Sequence, residues 1–177
     1  GARIANAVAA TGDDLRTMVR DTGVDVMTFG MTKNGGMYGE AVIFVRPELA
    51  RSAAYVRKQA GQLASKSRYI AAQANSLLQD DRWIANARRA NEMAALLAAR
   101  VGGIDGVELQ RAPEVNSVFV RVPADAITLL QQWSFFWEWD LGQSLVRWMT
   151  SFATTPEDIE RFASGVEAIL GARATKS

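Results

Sequence analysis

At 177 residues, 49% of them apolar, the chain is long enough to bury a core and too apolar to be a disordered tail. Twenty basic side chains against 19 acidic ones leave a net charge of +1, so no global field draws it to nucleic acid or to an anionic membrane. Cysteine and histidine are both absent, which removes disulfides, thiolate metal sites and the commonest metal ligand and general base.

The first segment, "GARIANAVAATG", begins at full structural strength, as if the chain started inside a domain. Thr11, Asp13 and Asp14 then supply a cap and first-turn carboxylates for a helix through Leu15, Met18 and Val19, ended by Gly23. "VDVMTFG" reads as a strand, and "EAVIFV" as a second, closed by Pro47. From 49 to 78 the spacing is helical, broken near Gly61 and long enough to bridge two lobes; a further helix is expected over 80–100. Gly102, Gly103 and Gly106 mark turns before "SVFVRVP", a strand ended by Pro123. "ADAITLLQQW" is helical, "FFWEW" and "SLVRWMTSF" are strands joined by the turn "DLGQ", and "TTPEDIERFASGVEAILGA" opens a terminal helix with Thr, Pro and early carboxylates. The expected division is 1–78, strands with long helices, and 79–177, a compact α+β unit. No apolar run of bilayer length and no leader pattern is visible, so a cytoplasmic protein without membrane or nucleic-acid partners is expected.

Chemistry in such a chain falls to Lys, Arg, Asp, Glu, Tyr, Ser, Thr or a cofactor, and "DVMTFGMTKNGGMYGEAVIF" offers a candidate. Lys33 stands between two strands among glycines. It reads as a solvated turn lysine, as part of a phosphate loop, or as an amine that forms a Schiff base with an aldehyde. The phosphate loop is poorly matched, because GxxxxGK[ST] is absent and the glycines follow the lysine. Four of the five tryptophans lie between 133 and 148 and read as core or subunit contact, and "RWIANARR" reads as a solvated helix face.

"GARIANAVAATG", "VDVMTFGMTKNGGMYGEAVIF", "RKQAGQLASKSRYIAAQ" and "LVRWMTSFATTPEDIERF" together, in this order, resemble the C-terminal half of the low-specificity L-threonine aldolases, phenylserine aldolases included. The resemblance implies an α/β chain: the C-terminal part of the pyridoxal-phosphate type I (aspartate-aminotransferase-like) fold, comprising the end of the large domain with its connecting helix and a small α+β domain. It implies pyridoxal 5'-phosphate as cofactor and no metal. Lys33 matches the Schiff-base lysine. Arg3 is similar to an arginine that reaches cofactor and substrate carboxylate, and Arg147 resembles the small-domain arginine that grips the same carboxylate. Lys58, beside Arg57, matches a segment near a neighbouring subunit's phosphate, and Thr32 and Asn34 flank the lysine. Without the resemblance, each of these charges reads as a surface group or a structural ion pair.

The implied activity is cleavage of L-threonine, allo-threonine or related β-hydroxy-α-amino acids such as phenylserine to glycine and an aldehyde, by a homo-oligomer, dimer or tetramer. The family aspartate before the first glycine, its phosphate loop and its stacking histidine have no counterpart here, so a missing N-terminal half is an expected partner and the chain alone is expected to be inactive. Alternatives are another type I reaction, β-elimination or racemisation, and a non-catalytic interaction module derived from the fold.

Overall fold

The computed structural model describes residues 1–174, which form two compact units dividing after Ala87.

The first unit opens with helix α1 (Ile4–Thr11), stopped by Gly12 in the left-handed conformation at φ 77°. The helix expected after Asp13 is a single widened turn, Arg16–Arg20, with Asp14 Oδ1 accepting from the Thr17 N–H at 2.8 Å. Strands β1 (Val26–Gly30) and β2 (Glu40–Phe44) pair antiparallel, Val26 opposite Phe44 and Gly30 opposite Glu40. The stretch 49–78 is not one bridging helix. It forms a short turn with Pro47 at its start, α2 (Ala53–Gln59) and α3 (Ser67–Leu78). Gly61 adopts φ 69° between the two helices, a conformation L side chains resist, and this halts α2. The core of this unit gathers Ala5, Val8, Phe29, Met31, Leu77, Trp83 and Ala87, with Trp83 edge-on to Phe29 at 5.7 Å.

The long helix is instead α4 (Arg82–Val101), which starts after Asp80 and Asp81, both at positive φ. Its first turns place Trp83 and Ala87 in the core of the first unit, and Met93, Ala94, Leu97 and Val101 belong to that of the second. This is why the units divide inside the helix, after Ala87, and not at the expected 78/79 position.

The second unit is an antiparallel sheet in the order β3-β4-β6-β5: β3 (Glu108–Leu109), β4 (Ser117–Arg121), β6 (Leu145–Met149) and β5 (Trp137–Asp140). Helices α5 (Ile127–Trp133) and α6 (Pro156–Ala174), with the end of α4, cover one face. Strict alternation does the sorting: Val118, Val120, Val146 and Trp148 are buried beneath the helices, while Phe119, Arg147 and Met149 point to the opposite face. The "DLGQ" turn forms as expected, with Asp140 accepting from the Gln143 N–H. The N-terminus of α6 is a reciprocal cap: Thr155 N–H donates to Asp158 Oδ2 at 3.0 Å and Asp158 N–H to Thr155 Oγ1 at 3.2 Å. No helix is long and apolar enough to cross a membrane among the described residues.

Candidate functional site

β1 leads directly into a short 3-10 turn, Thr32–Asn34, from which Lys33 projects into solvent. The turn is held from beneath. The carbonyl of Met31, 2% exposed, accepts from the N–H groups of Asn34 at 3.0 Å and Gly36 at 2.9 Å. Asn34, 6% exposed, donates its side-chain amide to the Trp83 carbonyl at 2.8 Å, and Asn86 donates back to the Asn34 carbonyl at 2.9 Å. Gly36 packs so closely on Met31 that an added Cβ would stand 2.7 Å from the Met31 Cβ. Gly39 (φ 114°) has no room either, since a Cβ there would overlap Ile70. On the far side of the loop Gln73 Oε1 accepts from the Met37 N–H at 2.8 Å and the Tyr38 N–H at 3.2 Å. Lys33 therefore stands on a rigid base, and among the described residues its amine takes part in no ion pair.

Gly30, at the end of β1, lets the chain start approach: an added Cβ would sit 3.2 Å from the Ala2 Cα. This packs the beginning of α1 against the strand that delivers Lys33. Arg3, half-buried, is the N-cap residue of that helix, and its carbonyl accepts from the Asn6 N–H at 3.1 Å. Thr32 is exposed at the head of the lysine turn. Lys58 is exposed near the end of α2, a helix with no buried residue, and Arg57 beside it donates to the Gln62 carbonyl at 3.0 Å. Thus Lys33, Thr32 and the Arg3 turn are brought to one end of β1, while Lys58 is on a separate, solvated helix.

Arg147 belongs to the second unit, midway along β6, opposite Phe119 of β4 and Trp137 of β5. Its guanidinium carbon lies 4.7 Å from the centroid of the Trp139 ring, and its Nε is buried without a hydrogen-bond partner. The partly buried Arg100, Arg121 and Arg173 of the same unit each pair with carboxylates; Arg147 does not. The Glu160 carboxylate, then that of Glu167, raise the pKa of Arg100 further. A cavity of about 410 Å³ between α5, α6 and β6, lined by Trp133, Phe136, Trp148, Asp158 and Phe162, includes none of the expected site residues.

The family model described as beta-eliminating lyase matches residues 1–125. The chain belongs to the beta-eliminating lyase family. Within curated members it is 37% identical over 174 residues to a low specificity L-threonine aldolase of Pseudomonas sp. (strain NCIMB 10558), and 40% identical to one of Pseudomonas aeruginosa. Each match covers 97% of this chain and 50% of the relative, so the chain spans about half the length of the curated relatives it matches. A threonine aldolase structure from Leishmania major superposes with a TM-score of 0.79 at 28% identity, over 96% of this chain and 50% of that one. The fold class expected from the sequence, the C-terminal part of the pyridoxal-phosphate type I fold, is accordingly the one this beta-eliminating lyase family member adopts.

The residues present fit such a cofactor: an amine without an ion pair on a rigid turn suits an aldehyde, and an unpaired guanidinium suits a carboxylate. No group of acidic side chains is arranged to hold a metal ion among the described residues. Two contributors escape a reading of the sequence alone. Asn86 supports the lysine turn from 52 positions downstream, which no local pattern signals. Trp139, read from the sequence only as core or subunit contact, lies with its ring against the Arg147 guanidinium, a contact across two strands that local spacing does not signal.

Proposed function

We propose that this chain carries half of the active site of a pyridoxal-phosphate-dependent lyase that cleaves L-threonine, allo-threonine or related β-hydroxy-α-amino acids to glycine and an aldehyde. The observation that carries the reading is the likeness, across 97% of the chain, to proteins named low specificity L-threonine aldolases. In this reading Lys33 holds the cofactor through its amine, with Thr32 and Arg3 at the same strand end and Lys58 reaching the phosphate of a neighbouring copy. The cofactor, when bound, supplies the electron sink that makes scission of the Cα–Cβ bond feasible. Arg147, with Arg3, grips the substrate carboxylate; the two-pronged guanidinium fixes the rotation of the substrate about its Cα and so decides which bond is aligned to break. Lys33 Nζ would also be placed to hold or return a proton at the substrate. An N-terminal half supplies the remaining cofactor contacts, and the working form is a cytoplasmic homo-oligomer, dimer or tetramer.

The test is borohydride reduction of the protein with pyridoxal phosphate, followed by peptide mapping, with Lys33→Ala alongside. A single label on Lys33, lost in the variant, is expected. Label scattered over several lysines and unchanged by Lys33→Ala would overturn the assignment. The family description favours one further reading, β-elimination; the holoenzyme separates the two by its products, glycine and an aldehyde for the aldolase, pyruvate and ammonia for β-elimination of serine.

A further inference from the structure

A half-buried arginine without a carboxylate is expensive, because part of its hydration is lost with nothing ionic in return. Arg147 is in this position: its Nε is shut off from solvent and unpartnered, and no ion pair involves it among the described residues. What it has is an aromatic face. The Trp139 ring lies 4.7 Å from the guanidinium carbon, and that ring is itself buttressed edge-on by Phe119, at 5.2 Å and 74°. Phe119 is the direct cross-strand neighbour of Arg147 on β4, so ring, buttress and guanidinium share the sheet face that the helices of this unit leave uncovered.

The backbone contains a device that serves this contact. Trp137 pairs with Arg147 and Glu138 with Val146, but Leu145 is met by Asp140, so the register shifts across Trp139. Trp139 is the extra residue of a β-bulge, released from the ladder and free to be re-aimed. Its ring nevertheless packs against Phe119 and the guanidinium while remaining 55% exposed.

We propose that Trp139 is a positioning residue for Arg147: its ring, braced by Phe119, holds the guanidinium flat so that the terminal nitrogens present a fork to the α-carboxylate of the substrate. The proposal rests on the reading of Arg147 as the carboxylate clamp. An indole face suits this task better than a carboxylate would. It steadies the cation without neutralising it and without occupying its N–H groups, so the fork stays available for the ligand.

The test is equilibrium binding by calorimetry in the holoenzyme, with the N-terminal half proposed above co-expressed where the chain requires it. The probes are glycine, which carries the carboxylate, and ethylamine, in which a methyl group stands in its place. Trp139→Leu is expected to weaken glycine by about five- to thirtyfold, the range of a partly desolvated cation–π contact, and to leave ethylamine unchanged. Trp139→Phe, which keeps a smaller ring, is expected to recover most of the loss. Unaltered glycine affinity in Trp139→Leu, or an equal loss for both probes, would overturn the proposal. So would a loss that Trp139→Phe does not recover at all. Arg147→Ala separates the premise from the inference. If it leaves glycine binding intact, the clamp reading itself fails; if it abolishes the preference for glycine while Trp139→Leu does not weaken it, only the positioning role fails. In the Arg147→Ala background, Trp139→Leu is expected to have no further effect on glycine.

Discussion

Replacing Asn34 by alanine tests whether the lysine turn is held as rigidly as its hydrogen bonds suggest. The side chain is 6% exposed and gives the Trp83 carbonyl a 2.8 Å hydrogen bond, while the Asn86 contact goes to the Asn34 backbone and survives the change. Loss of this buried hydrogen bond costs about 1–3 kcal/mol. With a urea dependence of roughly 2 kcal/mol per molar for a unit of this size, the unfolding midpoint should drop by about 0.5–1.5 M. Asn34→Asp should be the harsher variant, since it turns a donor into a charged acceptor against a carbonyl in a buried place. Urea titration followed by tryptophan fluorescence and far-ultraviolet dichroism reads both. Midpoints unchanged in both variants would refute the account of how Lys33 is supported.

Gly39→Ala should destabilise the same unit by about 1–3 kcal/mol, because the residue lies at φ 114° and the new methyl meets Ile70; a thermal melt at or above wild type would contradict this. Thr155→Ala removes one half of the α6 cap and should cost about 1 kcal/mol in chemical denaturation, with Thr155→Ser recovering most of it. The backbone N–H and the hydroxyl of Thr155 hold the Asp158 carboxyl below its ordinary range, and Arg100 does the same for Glu160. Both folded values lie below the unfolded ones, so the stabilisation is complete above the unfolded pKa and is lost as pH falls through the folded pKa. The second unit should hold its midpoint from about pH 7 to 5 and lose it below about pH 4, a fall that Asp158→Asn should make shallower.

Much of this fold is written locally. The pairing of "VDVMTFG" with "EAVIFV" follows from two apolar runs around a glycine-rich loop, and α6 follows from Thr155, Pro156 and Asp158. The stretch 49–78 is legible only in part: Gly61 signals the break, but the Ala, Gln, Lys and Arg residues around it all favour helix, so propensity does not reveal that the chain stays irregular from 60 to 66. The site divides the same way. Lys33 draws notice by its glycine-rich neighbourhood and Arg147 only through the family resemblance, whereas Asn86 and Trp139 make contacts across the fold, and a side chain recruited over 52 positions leaves no local trace.

The amide contacts that fix the Lys33 turn join positions 49 and 52 residues apart, and this sets an order of events during biosynthesis. At about 5–20 residues per second, the partners of Asn34 follow it out of the ribosome roughly 3–10 s later. During that interval the turn that carries Lys33 lacks the two hydrogen bonds it has with α4 in the folded protein. Only when the first turns of α4 exist does the turn gain these contacts, so the timing of translation separates the making of Lys33 from the fixing of the loop that carries it.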